Sequence, residues 1–529
     1  LELRNYSDVL VIGTGVAGLC AAIEAADNGL KVSLITKNSD PAESNTLYAQ
    51  GGIVGPGYDD SPDLIFQDIL KAGSYINNRD AVRLVAEEGP AMVEQFLVDR
   101  VNVRFSRDEK GGYELTREAA HSVRRILHSR DKTGFALSKG LLSTALEHEN
   151  ISFHSSLMAL DLISNCHHSS DHQQKYRKNS ILGAYVLDEE KRKVISFFAP
   201  SVIIATGGVG ALYEHTSNPS CATGDGIAMA YRAGASVINS EYIQFHPTTL
   251  YHRDSENFLI SESLRGEGAV LLNRYRQPFM NRYNKELKDL APRDEVSRAI
   301  YNEMEETGSD CVYLDAREIK EHKLDERFPQ IFDTCRKLDI DIREDLIPVV
   351  PAAHYFCGGI KTDLDGSAGI DGLYAVGESA CTGLHGANRL ASISLLEGVV
   401  FGLRAARHIA AQDRRNVASL IETIPDWVYP RKEESFDSIL IDSDMETIRT
   451  VMWNYVGIRR SKKRLERALA DLNYLRHRVE KFYKQSYVTR EIVELRNAVE
   501  TAIIITRGAL SNPKSLGCHY IPDKGESRE

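Results

Sequence analysis

Residues 8–18 read Asp8-Val9-Leu10-Val11-Ile12-Gly13-Thr14-Gly15-Val16-Ala17-Gly18. An unbroken apolar run ending in glycine is the pattern of a strand buried on both faces of a parallel sheet. The next residues keep the G-x-G-x-x-G spacing where such a strand turns into a helix. Those glycines permit a tight turn and let backbone approach a pyrophosphate, whose charge then meets the helix N-terminus. Gly15 to Asn28 is alanine-rich and reads as that helix, closed by Gly29. Lys31 to Thr36, KVSLIT, reads as a second strand. This βαβ opening sets the class as α/β, with a doubly wound, Rossmann-like sheet.

The chain has 529 residues, room for about three domains at ordinary domain size. Hydrophobic residues make up 42% and charged residues 26%, the balance of a globular enzyme. Net charge is −11 and no block rich in Lys and Arg stands out, which argues against nucleic acid as a partner. Eight cysteines are scattered without a C-x-x-C pair. That argues against a disulfide framework or a cysteine metal cluster, and fits a reducing compartment. No apolar run reaches the roughly 18–20 residues of a membrane span, and no signal-peptide pattern is present. The chain begins at Leu1, so a removed targeting segment stays open. Cys166 to Lys178 is polar and carries His167, His168 and His172; a solvated loop is the expectation there, ahead of a metal site.

From about residue 150 to 208 the chain is strand-rich and ends in Val202-Ile203-Ile204-Ala205-Thr206-Gly207-Gly208. Residues 240–350 lose the strand–glycine–helix rhythm and read as an inserted domain. The rhythm returns at Gly372-Leu373-Tyr374-Ala375-Val376-Gly377-Glu378. From about 436, three apolar stripes at helical spacing follow one another: Ile448, Val451, Met452, Tyr455 and Val456; then Leu465, Leu469, Leu472, Leu475, Val479 and Phe482; then Ile492, Leu495, Val499, Ala502 and Ile503. They predict a helical bundle packed onto the main body. The expected division is 1–239 and 351–420 for the nucleotide-binding domain, 240–350 for the insertion and 421–529 for the helical domain.

A standard NAD site holds the ribose with an acid about 20 residues beyond the glycines. Here the second strand ends in Thr36-Lys37 instead. That weakens NAD and leaves FAD open, with Lys37 or Thr36 near the adenosine. Two further strand-end turns, Thr206-Gly207 and Gly377-Glu378, favour FAD, because so long a dinucleotide needs backbone contacts from several strand ends.

Seven stretches then occur in order: ESNTLYAQGG at 43–52, HSVRRILH at 121–128, QFHPTTLY at 244–251, LRGEGA at 264–269, APRDEVSRAI at 291–300, PAAHYFCGGI at 351–360 and GLHGANRLASISLLE at 383–397. With the glycine fingerprint, this set resembles the flavoprotein family of L-aspartate oxidase and the flavoprotein subunits of succinate dehydrogenase and fumarate reductase. The resemblance spans almost the whole chain. It implies an FAD-binding doubly wound domain, an inserted α+β capping domain over the flavin and a C-terminal helical bundle. In the complex-forming dehydrogenases a histidine in Ser-His-Thr carries the flavin covalently. Here the triplet is Ser44-Asn45-Thr46, and an amide cannot form that bond, so the resemblance implies non-covalent FAD. Cys357 stands where the succinate and fumarate enzymes usually have methionine, and Pro292 where they usually have serine. Ile393 departs from the asparagine of many aspartate oxidases.

The activity implied is FAD-dependent oxidation of L-aspartate to iminoaspartate, the first step of quinolinate and NAD synthesis, with electrons passing to oxygen or fumarate. The runner-up is a soluble fumarate reductase or a dehydrogenase flavoprotein subunit. By the same resemblance Arg293 is the proton-transfer residue, by relay or as an electrostatic clamp, and Arg389, His354 and His246 bind carboxylates. Ser261 and Glu262 fall where the capping domain meets the substrate. Glu118 falls where an acid greets the substrate ammonium; its alternative is a surface pair with Arg117, Arg124 or Arg125. The candidate cofactor residues are Gly13, Thr14, Gly15, Val16, Ala17, Gly18, Lys37, Ser44, Asn45, Thr46, Leu47, Tyr48, Ala49, Gln50, Gly51, Gly52, Ala159, Leu160, Thr206, Gly207, Asp225, Glu378, Ser394 and Leu395. No metal is expected. A transient partnership with quinolinate synthase and a bacterial cytoplasmic location, with a plastid as the alternative, complete the expectations.

Overall fold

The computed structural model describes residues 4–118, 120–254, 258–319, 324–413, 415–429 and 437–522. Strands β1 (Val9–Ile12), β2 (Val32–Ile35), β3 (Ile151–His154), β4 (Ser201–Ile204) and β5 (Leu373–Ala375) form one parallel sheet, in the order β5-β4-β1-β2-β3. Register brings Ile12 of β1 opposite both Ile204 and Ile35. Val9, Leu10 and Val11 are completely buried, as strands covered on both faces must be. Helix α1 (Val16–Asp27) follows β1 at the spot the glycines mark. The chain runs outward through β2 and β3, then returns to the other side of β1. In open α/β sheets that reversal is where ligands bind, at the carboxyl ends of the strands.

A second sheet stacks Leu157–Ser164, Ile181–Asp188 and Lys193–Phe198 antiparallel, with Arg4–Tyr6 added at its edge. The stretch expected to be a plain loop differs. It forms a short helix at Asn165–His168 and a turn at His172–Tyr176. Asn165 is buried and fixes this turn by bonding Ser180, Gln174 and Lys178. Among the described residues no group of three or more His, Cys, Asp or Glu side chains is placed to hold a metal ion.

The inserted region is an antiparallel sheet of Ile243–Leu250, Ile347–Phe356, Val312–Asp315 and Val270–Leu272, covered by helix α2 (Arg293–Thr307). It has an apolar core of its own. Strand Ile347–Phe356 runs straight through the position expected as a boundary, residue 350. One continuous strand therefore begins in the cap and ends against the nucleotide-binding domain.

Helix α3 (Ile393–Ala411) lies against α1 at close range: a Cβ on Gly398 would stand 2.8 Å from Val16 Cγ1, and one on Gly402 2.7 Å from the Ala17 carbonyl oxygen. The last three long helices are α4 (Ser438–Val456), α5 (Lys462–Gln485) and α6 (Arg490–Ser511). The stripes read from the sequence face inward, and α6 is buried on nearly every side, including Ile503, Ile504 and Ile505. The bundle shares one apolar cluster with the strands of the main body. Among the described residues no helix is long and apolar enough to cross a membrane.

Candidate active site

A cavity of about 530 Å³ opens at the carboxyl ends of β1, β2 and β4 and extends under the inserted domain. Its first section is built by the turn that follows β1. Gly13 has φ +115°, and a Cβ there would strike the Ala205 carbonyl oxygen at 2.2 Å. Gly15 precedes α1, whose first turn holds no acidic residue. Thr46 Oγ1 accepts a 3.0 Å hydrogen bond from the Val16 N–H, tying the 43–52 stretch to the helix start. Amide groups, the positive end of a helix and a close backbone approach suit a pyrophosphate, so these residues fit FAD.

Thr14, Val16, Ala17, Lys37, Ser44, Asn45, Thr46, Tyr48, Ala49, Gln50, Gly51, Gly52, Ala159, Thr206, Gly207, Asp225, Glu378, Ser394 and Leu395 line the cavity together with Gly13 and Gly15. Gly18, Leu47 and Leu160 do not. Gly18 lies inside α1, where a Cβ would come within 2.1 Å of the Gly13 carbonyl oxygen, so it serves the packing of helix on turn. Leu160 is completely buried in the apolar core, at an irregularity where the strand register shifts between Ala159 and Asp161 and the chain leaves the cavity wall. Leu47 sits in a turn whose N–H bonds the Ser44 carbonyl, and contributes no wall. Ile393 is likewise buried in the core at the start of α3, and the serines on either side of it reach the cavity instead.

At the far end of this section Lys37 Nζ donates to Asp225 Oδ2 and Glu494 Oε1, both at 2.6 Å, and to Thr223 Oγ1 at 3.0 Å. Burial works against the ammonium, but the two carboxylates hold its pKa above the ordinary lysine value. Nearer the middle, Asn45 Nδ2 donates to Glu378 Oε2 at 3.2 Å, and Glu378 Oε1 accepts from the Phe356 N–H at 2.9 Å. Burial pushes the Glu378 carboxyl up to about 7, against the pull of those two donors.

The other end is crowded with charge. Arg293 Nε donates to Glu262 Oε2 at 2.7 Å. Gln244 Oε1 accepts from Arg389 Nη2 at 3.0 Å and from Arg293 Nη1 at 3.4 Å, so one amide spaces the two guanidiniums. Arg389 also lies 4.7 Å from the centre of the Tyr355 ring. Tyr355 in turn donates to Glu397 at 2.5 Å, and His385 Nε2 meets the same carboxylate oxygen at 2.9 Å. His246 and His354 face each other with ring centres 5.3 Å apart. Burial lowers both well below the usual histidine range, and the neighbouring arginines add to the shift. His246 Nδ1 accepts the Thr248 N–H at 3.2 Å, which leaves the proton of the neutral ring on Nε2. That Nε2, Arg389 Nε and Glu262 Oε1 are buried with no hydrogen-bond partner among the described residues. Burial raises Glu262, but Arg293 and Arg265 more than offset it, and its carboxyl stays below the ordinary range.

Glu118 reaches this end from the loop before residue 120. Its Oε2 accepts from Ser392 Oγ at 2.6 Å, and its Oε1 would lie 2.6 Å from a Cβ on Gly51. Burial pushes its carboxyl above the ordinary range, with Ser392 and Arg293 opposing. The surface pairing expected as its alternative does not form with Arg125, which is ion-paired to Asp60 and Asp68, or with Arg124, which bonds the Leu115 carbonyl. Ser261 lines the cavity and caps the short helix that carries Glu262. Cys357 is buried beside Tyr242 and Cys518, a packing position.

Reading the sequence residue by residue missed Gln244, Arg265, Ser392 and Tyr355, although each lies inside a quoted motif. Arg265 is almost completely buried beneath Glu262, with Nε and Nη2 unpartnered. Glu494 carried no signal at all beyond its place on an amphipathic helix.

Comparison with known proteins places the chain among FAD flavoproteins. A family model described as an FAD binding domain matches residues 8–395, and one described as the fumarate reductase flavoprotein C-terminus matches residues 445–528. L-aspartate oxidase of Yersinia pestis is 41% identical over 525 residues, covering 98% of this chain and 96% of that protein. L-aspartate oxidase 1 of Ralstonia nicotianae is 43% identical over 519 residues, covering 98% and 95%. A rice (Oryza sativa subsp. japonica) protein named L-aspartate oxidase, chloroplastic, is 38% identical, covering 99% of this chain and 82% of its own. Among solved structures, E. coli quinol fumarate reductase superposes with a TM-score of 0.86 at 28% identity, over 99% of this chain and 92% of that one.

Proposed function

The chain belongs to the L-aspartate oxidase family of FAD flavoproteins, and we propose that the charged end of its cavity is where L-aspartate is held and oxidised. The activity is FAD-dependent oxidation of L-aspartate to iminoaspartate in NAD biosynthesis, with oxygen or fumarate taking the electrons. FAD, when bound, supplies the hydride acceptor. The chain's own residues must clamp two carboxylates and one ammonium, because fixed orientation removes a large part of the barrier. Arg389, His354 and His246 are suited to the carboxylates: a buried guanidinium with a free Nε, and two neutral imidazoles, one with its proton on the unpartnered Nε2. Arg293, tied to Glu262 at 2.7 Å, keeps positive charge over the reacting carbon. Its pairing favours the clamp over a free base.

The observation that carries the reading is Glu118. A carboxylate at the rim of an arginine- and histidine-lined pocket suits an ammonium, which L-aspartate has and succinate lacks. The experiment is an anaerobic absorbance titration of the FAD-loaded protein with L-aspartate and, separately, succinate. Bleaching by aspartate, with flavin released on acid precipitation, is the expected result. Bleaching by succinate alone would transfer the chain to the dehydrogenase branch.

Iminoaspartate hydrolyses readily, and quinolinate synthase is the proposed recipient by transient contact. Equal loss of product to an added trap with and without that enzyme would remove this idea. A cytoplasmic location is proposed on the bacterial relatives, with a plastid on the rice relative; fractionation of the source cells decides.

A further inference from the structure

Helix α6 does not line the cavity itself, but it bonds through polar groups to residues that do, Lys37, Asn38 and Asp225. Arg490, Glu494 and Asn497 are spaced i, i+4, i+7, so they share one side of the helix. Arg490 Nη1 donates to the Lys37 carbonyl oxygen at 3.0 Å, and its Nη2 to Asn38 Oδ1 at 2.9 Å. Its Nε donates at 3.0 Å to the same Glu494 Oε1 that holds Lys37 Nζ. Asn497 Nδ2 donates to Asp225 Oδ1 at 2.8 Å, and Asn497 Oδ1 accepts from Arg232 Nη2 at 2.9 Å.

Lys37 follows β2, the strand whose end faces the adenosine ribose in a doubly wound site. The acid usually found at that strand end is missing. Asp225, arriving from a different helix, stands in the same wall; its Oδ2 takes Lys37 and Thr223, while Oδ1 takes Asn497 and keeps a lone pair for a hydroxyl donor. Its orientation is set by Lys37 and Thr223 on Oδ2 and by Asn497 on Oδ1. We infer that the C-terminal domain completes the cofactor site: α6, through Arg490, Glu494 and Asn497, positions Lys37 and Asp225 to hold the adenosine half of FAD. These are positioning residues. The apolar stripes already supply the packing, and a buried charged ladder adds geometry more than stability. The inference requires FAD in the cavity and nothing about the amino-acid substrate, so it stands or falls apart from the preceding reading.

The test is fluorescence titration of the full-length apoprotein with FAD, with ADP and FMN as competitors. Asn497→Ala changes no charge, so it isolates positioning from simple attraction of the pyrophosphate. It is expected to raise the FAD Kd by about tenfold, the effect of one hydrogen bond to a charged group. ADP should weaken by the same factor and FMN should not change. The KM for L-aspartate at saturating FAD should also stay the same. Glu494→Gln should show the same split between ADP and FMN, and Glu494→Asp should recover part of the loss. An FAD Kd within twofold of the parent, equal weakening of ADP and FMN, or tighter FAD binding by Glu494→Gln would each overturn the inference. Either variant suffices if the other fails to fold.

Discussion

The two ends of the cavity are built on opposite principles. At the adenosine end the charges are matched within the protein: Lys37 with Asp225 and Glu494 at 2.6 Å, and Arg490 with Glu494 at 3.0 Å. At the charged end, four wall residues carry buried polar atoms with no partner among the described residues: His246 Nε2, Arg389 Nε, Glu262 Oε1 and Gln50 Oε1. Nearly all buried polar groups in folded proteins find partners. A matched network therefore fixes geometry in advance, whereas a concentration of unmet donors and acceptors marks where a small polar molecule must complete the bonding. On the proposed reading, the contrast separates a scaffold for a cofactor from a site for turnover.

The largest expected effect breaks the contrast from the substrate side. Arg389→Leu should lower kcat/KM for L-aspartate by about a thousandfold, the scale for losing a transition-state charge clamp, while the FAD Kd moves little. Steady-state kinetics beside a fluorescence titration measures both; a parallel fall would mean that the two ends are one unit. Next, Glu118→Gln should cost about 30- to 100-fold in kcat/KM for L-aspartate, the worth of a hydrogen-bonded ion pair, with fumarate reduction nearly unchanged. Equal losses in both assays would show that Glu118 supports the pocket without greeting an ammonium.

The pH dependence sharpens the same contrast. Because burial raises the Glu118 pKa, its carboxylate exists only above a pH higher than the ordinary glutamate value. The acid limb of kcat/KM for L-aspartate should therefore lie above that value and vanish in Glu118→Gln. His246 and His354 are depressed, so neither protonates in the folded protein near the usual histidine value of about 6.5. Unfolded chains do bind those protons. Stability from these two rings is thus present above about pH 6.5 and falls as the pH drops below it, which thermal melts across that range would record. The smallest effect belongs to Cys357→Ala. A buried packing thiol predicts kcat/KM within about twofold and a lower Tm; a large kinetic loss would give it a chemical role.

Much of this was legible in the chain. The turn at Gly13 and Gly15 is local, because a buried strand, a tight turn and a helix start follow one another within a dozen residues. The charged residues of the substrate end could be named because they sit in contiguous motifs. What those motifs did not disclose was arrangement. Gln244 is one residue among eight in QFHPTTLY, yet only the fold puts its oxygen between Arg293 and Arg389. Gly18 keeps the motif spacing but serves packing, and Leu160 falls at a strand irregularity that turns it into the core. The supposed loop after Cys166 folds into helical turns because Asn165 finds backbone partners that no local pattern announces.

The sequence by itself determined the class of fold and the glycine turn for a dinucleotide; the untethered cofactor is what the family resemblance implies, since an asparagine at position 45 cannot make a histidine's bond. These depend on neighbours in the chain or on the chemistry of a single side chain. The tertiary structure alone decided that Glu118 meets Ser392 and not a surface arginine, and that Glu494 reaches Lys37 across 457 positions. An amphipathic stripe states which face of a helix is buried; what that face is buried against depends on packing between distant segments, and periodicity carries no record of it.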